Sequence, residues 1–481
     1  MSALVFERFL STPEMLAVFS ERSVLQAMLD VEAALANALA AQGVIPPAAA
    51  KVIARCCQID QLDAEAILNA SARAGSLAIP LVLHLTAAVA RADQNAARAG
   101  ENASQADQNA SQAGENASRF VHWGSTSQDV IDTAMSLLSR QALALLDRDL
   151  SRLIASLLDL AEQHATVPVL ARTLMQPAQV VSVGFKLLAW VAPLQRCRVR
   201  LQALAQTALQ LQLGGAVGSL AVMGDEGVLV AQRMAADLKL AYLGGSWHTQ
   251  RDEAATLACQ VGVLCGALGK VAKDISLMSQ AEVGELNEAS GDGRGGSSSM
   301  PHKRNPVASM VALAAALRAP QRVAALLAAM VQEHERGLGN WQAELAETAG
   351  LYLSAHGALL ALTDAAEQGL QLHAHRMRAN IEGLNGLISA EAAAALFAGQ
   401  LGKPQAHALV ADLCARVAAG GGHLRELCLA LLDGDGRLRG RIKAADIEAA
   451  FDPDTAAQAA IRAAAPQLAA LRRVAHETPK L

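Results

Sequence analysis

The run Gly295-Gly296-Ser297-Ser298-Ser299-Met300-Pro301-His302-Lys303-Arg304-Asn305-Pro306 concentrates chemistry in this chain. Its glycines permit unusual backbone angles, and three adjacent hydroxyls lie beside a cationic cluster that feeds a helix start. Positive potential from Lys303, Arg304 and a helix N-terminus favours the alkoxide form of a nearby serine. Backbone N–H groups and Lys303 are also suited to hold an oxyanion. A plain polar linker before a helix accounts for the same composition equally well.

Other runs repeat the theme of polar groups at helix ends. Val121-His122-Trp123-Gly124-Ser125-Thr126-Ser127-Gln128-Asp129 gathers a His, hydroxyls and an Asp where a loop meets a helix. Such a junction binds anions or simply caps the helix. Ala171-Arg172-Thr173-Leu174-Met175-Gln176-Pro177-Ala178-Gln179 and Trp247-His248-Thr249-Gln250-Arg251-Asp252 are further polar runs, the second also readable as a turn and cap. His334-Glu335-Arg336-Gly337-Leu338-Gly339-Asn340-Trp341 reads as a helix C-terminus. His373 and His375 sit two apart and face away from each other on a helix, so no metal site is expected there. The glycine-rich loops lack a phosphate-binding pattern, so no nucleotide or organic cofactor is expected.

These runs need long rods to position them. Ile131 to Gln163, Val180 to Leu213, Val228 to Leu243, Asp252 to Val283 and Asn305 to Glu335 all show helical periodicity. Ser11-Thr12-Pro13-Glu14 reads as a helix start, and Val24 to Ala41 and Pro80 to Arg91 as helices. From Asp93 to Ser118 a seven-residue repeat without large apolar residues reads as an inserted segment, flexible or weakly helical. The expected division is an N-terminal helical domain over 1–119 carrying that insertion, a central long-helix bundle over 120–369 and a small helical domain over 370–481.

Composition supports an all-α body. The chain has 481 residues, 52% of them apolar but only 3% aromatic, and its abundant alanine favours helix over sheet. The net charge of −5 gives no general affinity for nucleic acid. Ala254 to Gly269, uncharged throughout, is shorter than the roughly 20 residues of a membrane span and is expected to be buried in a bundle. Seven scattered cysteines without a CxxC pair suggest neither zinc nor disulfides. Met1 to Leu10 show no basic-then-apolar leader pattern, so a cytoplasmic location is expected.

The serine-rich run resembles the signature loop of the fumarase/aspartase superfamily, G-S-S-x-M-P-x-K-x-N. Gly296, Ser297, Ser298, Met300, Pro301, Lys303 and Asn305 fill every fixed place. The resemblance implies a three-domain fumarase/aspartase-like fold with a long central helical bundle. It also implies Ser297 as acid or base at carbon, with Lys303 and Asn305 on the carboxylate that becomes an enediolate. Ser298, Met300 and His302 are implied as substrate contacts in the same loop. The His122 run is similar to the superfamily's H-x-G-x-T-S-x-D, which implies His122, Thr126 and Ser127 as substrate contacts.

The Arg172 run is similar to R-T-H-x-Q-x-A and implies contacts from Arg172, Thr173 and Gln176, but Leu174 stands in the usual His place. Leucine transfers no proton. Hydroxide and amide leaving groups need an acid, whereas a carboxylate, whose conjugate acid has a pKa of about 4, does not. The departure therefore points to carboxylate addition or elimination. That is the chemistry of the carboxymuconate cycloisomerase class, whose W-H-T-Q-R-D, H-E-R-x-L-G-x-W and L-x-G-G-A-x-G runs this chain also resembles. The resemblance implies His248, Gln250 and Arg251 as further substrate contacts, a tricarboxylate substrate, no cofactor and no metal. It further implies a homotetramer whose sites are shared between chains. Another superfamily lyase releasing fumarate, of the adenylosuccinate or argininosuccinate type, and a non-enzymatic helical scaffold stay open as alternatives.

Overall fold

The computed structural model of the chain describes residues 5–100, 116–289 and 295–478. It begins with α1 (Val5–Leu10), α2 (Pro13–Val18), α3 (Glu21–Ala41), α4 (Pro47–Cys56), α5 (Ala64–Ala74) and α6 (Ala78–Gly100). Then come α7 (Ser127–Gln163), a hairpin of β1 (Pro168–Thr173) and β2 (Gln176–Ser182), α8 (Val183–Ala208), α9 (Gly227–Leu238) and α10 (Asp252–Met278). β3 (Leu286–Asn287), α11 (Val307–Ala329), α12 (Asn340–Glu367) and β4 (Gln371–Leu372) follow. The chain closes with α13 (Ala374–Glu382), α14 (Ala390–Leu401), α15 (Lys403–Ala418), α16 (Leu424–Gly434), α17 (Ala444–Phe451) and α18 (Pro453–Glu477). The architecture is all-α, with two small antiparallel pairs, β1–β2 and β3–β4, among the described residues.

Five long helices, α7, α8, α10, α11 and α12, make the bundle, with α11 lying along both α10 and α12. Small residues let these rods approach closely. A Cβ at Gly262 would stand 2.7 Å from Val323 Cγ2, and one at Gly269 would collide with Ala316. The alanine and glycine content is thus the means of close α10–α11 packing as well as of helix propensity.

The helix starts follow local chemistry. Thr12 caps α2, accepting Met15 N–H at 3.1 Å, with Pro13 at the first position. The expected helix from Val180 starts instead at Val183, because Val180 and Val181 pair in the β1–β2 ladder and Ser182 then caps α8, accepting Phe185 N–H at 3.0 Å. The helix expected to reach Leu243 stops at Leu238, where Lys239 turns left-handed (φ 55°). That expected over Asn305–Glu335 runs from Val307 to Ala329. The repeat begins inside α6, and its residues 101–115 lie outside the described residues.

Buried apolar side chains form two clusters. The larger joins the N-terminal helices to the bundle and takes in Ala464 and Leu471 of α18. The smaller gathers residues between Ala393 and Ile447, including Phe397, Leu413 and Leu424.

Asp149 on α7, fully buried, anchors the N-terminus to the bundle. His356 of α12 meets it through Nε2 at 2.9 Å and reaches Thr12 Oγ1 through Nδ1 at 2.7 Å. Arg148 and Arg152 also donate to Asp149. Burial alone would raise this carboxyl's pKa, but the bonds from His356, Arg148 and Arg152 outweigh it and hold the value below the ordinary range.

The uncharged stretch Ala254–Gly269 underestimated its helix. By length and composition α3, α10 and α11 are each long and apolar enough to cross a membrane. More than half of the apolar window in α3 and α10 is buried in the protein's own core, but only 22% of that in α11.

Candidate active site

The expected residues fall into three groups, one around the start of α7, one at the β1–β2 tip and one in the serine loop. The first surrounds the start of α7. Thr126 N–H donates to Asp129 Oδ2 at 3.0 Å, half of a capping box. Asp129, 1% exposed, also accepts Gly214 N–H at 3.0 Å, Gly215 N–H at 2.9 Å and His248 Nε2 at 2.7 Å. One carboxylate thus ties three loops around Thr126 and Ser127. Gly215 is needed here: its φ is 69°, and a Cβ would come within 2.8 Å of Gly124 O.

Beneath this turn, Arg251 lies buried between Asp132, bound bidentately at 2.8 and 3.1 Å, and Glu344, with Trp341 Nε1 on Asp132 at 3.0 Å. Burial pushes Glu344 up against the opposing pull of Arg251. Arg251 and His248 are 5% and 3% exposed, and both are engaged in holding loops together. Gln250 donates to Ser246 O at 3.2 Å on the protein surface. Arg336 spans the group from outside, its Nη2 donating to Thr126 Oγ1 at 3.0 Å and to Ala216 O at 3.1 Å. Its Nε is buried without a hydrogen-bond partner, and no ion pair neutralises it among the described residues. Arg336 lies inside the His334–Trp341 run, where the sequence alone marks no role for it.

His122 completes this group. Its backbone is left-handed (φ 61°), and Nδ1 meets Glu32 of α3 at 2.6 Å. Glu32, ninety residues away in sequence, carried no motif that would have marked it.

The second group is the β1–β2 tip. Thr173 pairs with Gln176, and the two residues between them, Leu174 (φ 50°) and Met175 (φ 67°), make a tight turn of the kind that suits hairpin twist. Leu174 is 97% exposed. Arg172 donates bidentately to Glu285 at 2.7 and 2.8 Å, and Asn380 braces the same carboxylate at 3.0 Å.

The third group is the serine loop. Ser297 Oγ accepts Met300 N–H at 3.1 Å and Ser299 N–H at 3.4 Å. Asn305 closes the loop, its N–H on Gly295 O at 2.8 Å and its Nδ2 on Gly296 O at 3.3 Å. Glu288 fixes the start of α11, accepting Ala308 N–H, Ser309 N–H and Ser309 Oγ–H at 2.7–2.9 Å. Ser298, Met300, His302, Lys303 and Arg304 are exposed. No ion pair neutralises Lys303 or Arg304 among the described residues.

No hydrogen bond joins one group to another among the described residues. A cavity of about 940 Å³ between the hairpin and the C-terminal helices, lined by Phe185, Arg378, His423 and Phe451 among others, contains none of the expected residues. Glu14, Asp149 and His356 lie close enough to share a metal ion, but Arg148 donates to both carboxylates and already supplies their countercharge.

Chain comparison places this architecture in a family. A model of the lyase family matches residues 7–320, and the chain belongs to that family. It is 45% identical to the 3-carboxy-cis,cis-muconate cycloisomerase of Bradyrhizobium diazoefficiens over 444 residues, covering 92% of this chain and 93% of that one. It is 42% identical to the enzyme of the same name from Pseudomonas aeruginosa, covering 93% and 92%. The crystal structure of the 3-carboxy-cis,cis-muconate lactonizing enzyme from Pseudomonas putida superposes with a TM-score of 0.86 at 38% identity, over 98% of this chain and 99% of that one.

Proposed function

We propose that this chain closes 3-carboxy-cis,cis-muconate to 4-carboxymuconolactone, a step of the protocatechuate branch of the β-ketoadipate pathway, in the cytoplasm. The observation that carries this reading is end-to-end similarity to cycloisomerases together with a complete signature loop. In the proposed reaction one substrate carboxylate attacks an alkene carbon, and electron density flows to the far carboxylate as an enediolate. Lys303 and Asn305 stabilise that dianion, each such preorganised donor contributing roughly 3–4 kcal/mol. Ser297 then gives its hydroxyl proton to carbon. The two N–H groups on Ser297 Oγ support this role, since they stabilise the alkoxide left behind.

Arg172 and Arg251, expected as substrate contacts, have carboxylate partners in the chain. Attraction for a tricarboxylate therefore falls mainly to Lys303, Arg304, Arg336 and the α7 N-terminus at Ser127, with Thr126, Thr173, Gln176, Ser298, Met300 and His302 completing the walls. We assign His248 to loop positioning through Asp129. The separation of the three groups in one chain, and the exposed apolar face of α11, support a homotetramer whose sites draw on several copies.

Purified protein mixed with 3-carboxy-cis,cis-muconate is expected to consume its diene absorbance in the ultraviolet. Stable absorbance, with fumarate released from adenylosuccinate or argininosuccinate instead, would replace this assignment by the other lyase chemistry.

A further inference from the structure

We infer that Glu32 is a positioning residue that holds His122 in its cationic form, so that His122 anchors a substrate carboxylate and does not act as a base. The inference rests on the reading of the Thr126 loop as a carboxylate site and gives one of its members a charge state and a partner.

The geometry is unusual for a structural pair. Glu32 lies inside α3 with no side-chain exposure, and among the described residues its buried Oε2 has no hydrogen-bond partner. Oε1 has His122 Nδ1 at 2.6 Å. A buried carboxylate left half unpartnered is costly unless a cation compensates it, and removing that cation would strand the charge. His122 takes a left-handed backbone (φ 61°), which disfavours a residue with a Cβ, so the surrounding contacts hold the ring in this place. A fifth of its side chain stays accessible. With Nδ1 on Glu32, Nε2–H is the ring's remaining donor.

The other charged and titratable groups near the pair favour the same state. Asp129 approaches from α7 and adds to the pull on the proton. Cys57, after α4, has its thiol pushed up by burial and by Glu32, so it stays neutral. Arg336 lies across the loop on Thr126. Burial alone would lower the His122 pKa, but the charge and hydrogen bond of Glu32 outweigh it and raise the value above the ordinary 6.5. The imidazolium therefore persists as pH rises through that value. A ring that keeps its proton cannot take one from Ser297, whereas Nε2–H is suited to a carboxylate.

Tricarballylate, a saturated tricarboxylate that cannot lactonise, serves as the probe, with binding to the full-length protein measured by calorimetry across pH. Because no turnover is needed, the result is independent of whether the cycloisomerase assignment survives. Glu32→Gln is expected to weaken binding about 10-fold relative to the unaltered protein near pH 8, and less than about 3-fold near pH 5.5, where His122 is protonated without help. Glu32→Asp, which keeps the charge, is expected to restore the unaltered pH profile. Equal weakening at both pH values would make Glu32 merely structural and overturn the inference. Should Glu32→Gln fail to fold, NMR titration of histidine-labelled unaltered protein decides, with His122→Gln identifying the resonance. A His122 ring still protonated near pH 8 upholds the inference; one that has lost its proton by then overturns it.

Discussion

Ser297 is partly exposed, and its oxygen accepts two backbone N–H groups of its own loop, so the loop holds the oxygen in place. Little of the fold depends on it. Ser297→Ala is expected to lower kcat by roughly 10³-fold, in line with the loss of a positioned proton donor, while thermal unfolding stays within a degree or two. Activity loss accompanied by a large fall in melting temperature would mean that the hydroxyl holds the loop and does not move a proton. At this scale the sequence was informative about which residues cluster and silent about what neutralises them. Arg251 and Arg336 both sat in motifs as polar arginines. Asp132 and Glu344, which bury one of them, lie 119 and 93 residues away in the chain. Glu32 escaped notice for the same reason: a lone Glu in an apolar helix has no local pattern.

Helices α2, α7 and α12 meet at Asp149, and their junction carries a stability cost that can be measured. Asp149→Asn leaves His356, Arg148 and Arg152 without their shared anion, and is expected to cost about 3 kcal/mol in denaturant unfolding near neutral pH. Because the folded carboxyl has a depressed pKa, its contribution is fully present above the unfolded value of about 3.9 and disappears as pH falls through the folded value. The gap between the two proteins should therefore begin to narrow below about pH 4 and shrink further with each added step of acid. A gap that is unchanged there would assign the loss to packing. Most rods were legible from apolar spacing and capping residues, such as Thr12-Pro13. Helix α12 was not, because from Gly350 to Leu359 every residue is buried and no amphipathic stripe exists to read. The hairpin was hidden inside a motif, its β-branched Val180 and Val181 continuing smoothly into a helical pattern.

For the molecule as a whole, the largest unmet demand is on α11. Leu317 is 75% exposed, and Val331 and Leu338 beyond the helix are more so. Apolar surface of this extent is normally covered by another chain. Sedimentation is expected to find an assembly, and Leu317→Glu is expected to shift it toward smaller species and to lose turnover in proportion. A variant that sediments as a single chain with full activity would show that one copy is sufficient. The all-α bundle could be foreseen from alanine and glycine content, but the distances between the three polar groups could not, since they depend on how the rods cross.

The turn at Leu174 and Met175 has a consequence for how such a protein can change. Both residues are held left-handed by the ladder on either side, so the backbone there is fixed whatever the side chain. Leu174 itself touches almost nothing in its own chain. The fold thus presents, at the end of a rigid arm, a position where proton-transferring and inert side chains can be exchanged at little expense to folding. A change of that one side chain leaves the hairpin that carries it intact.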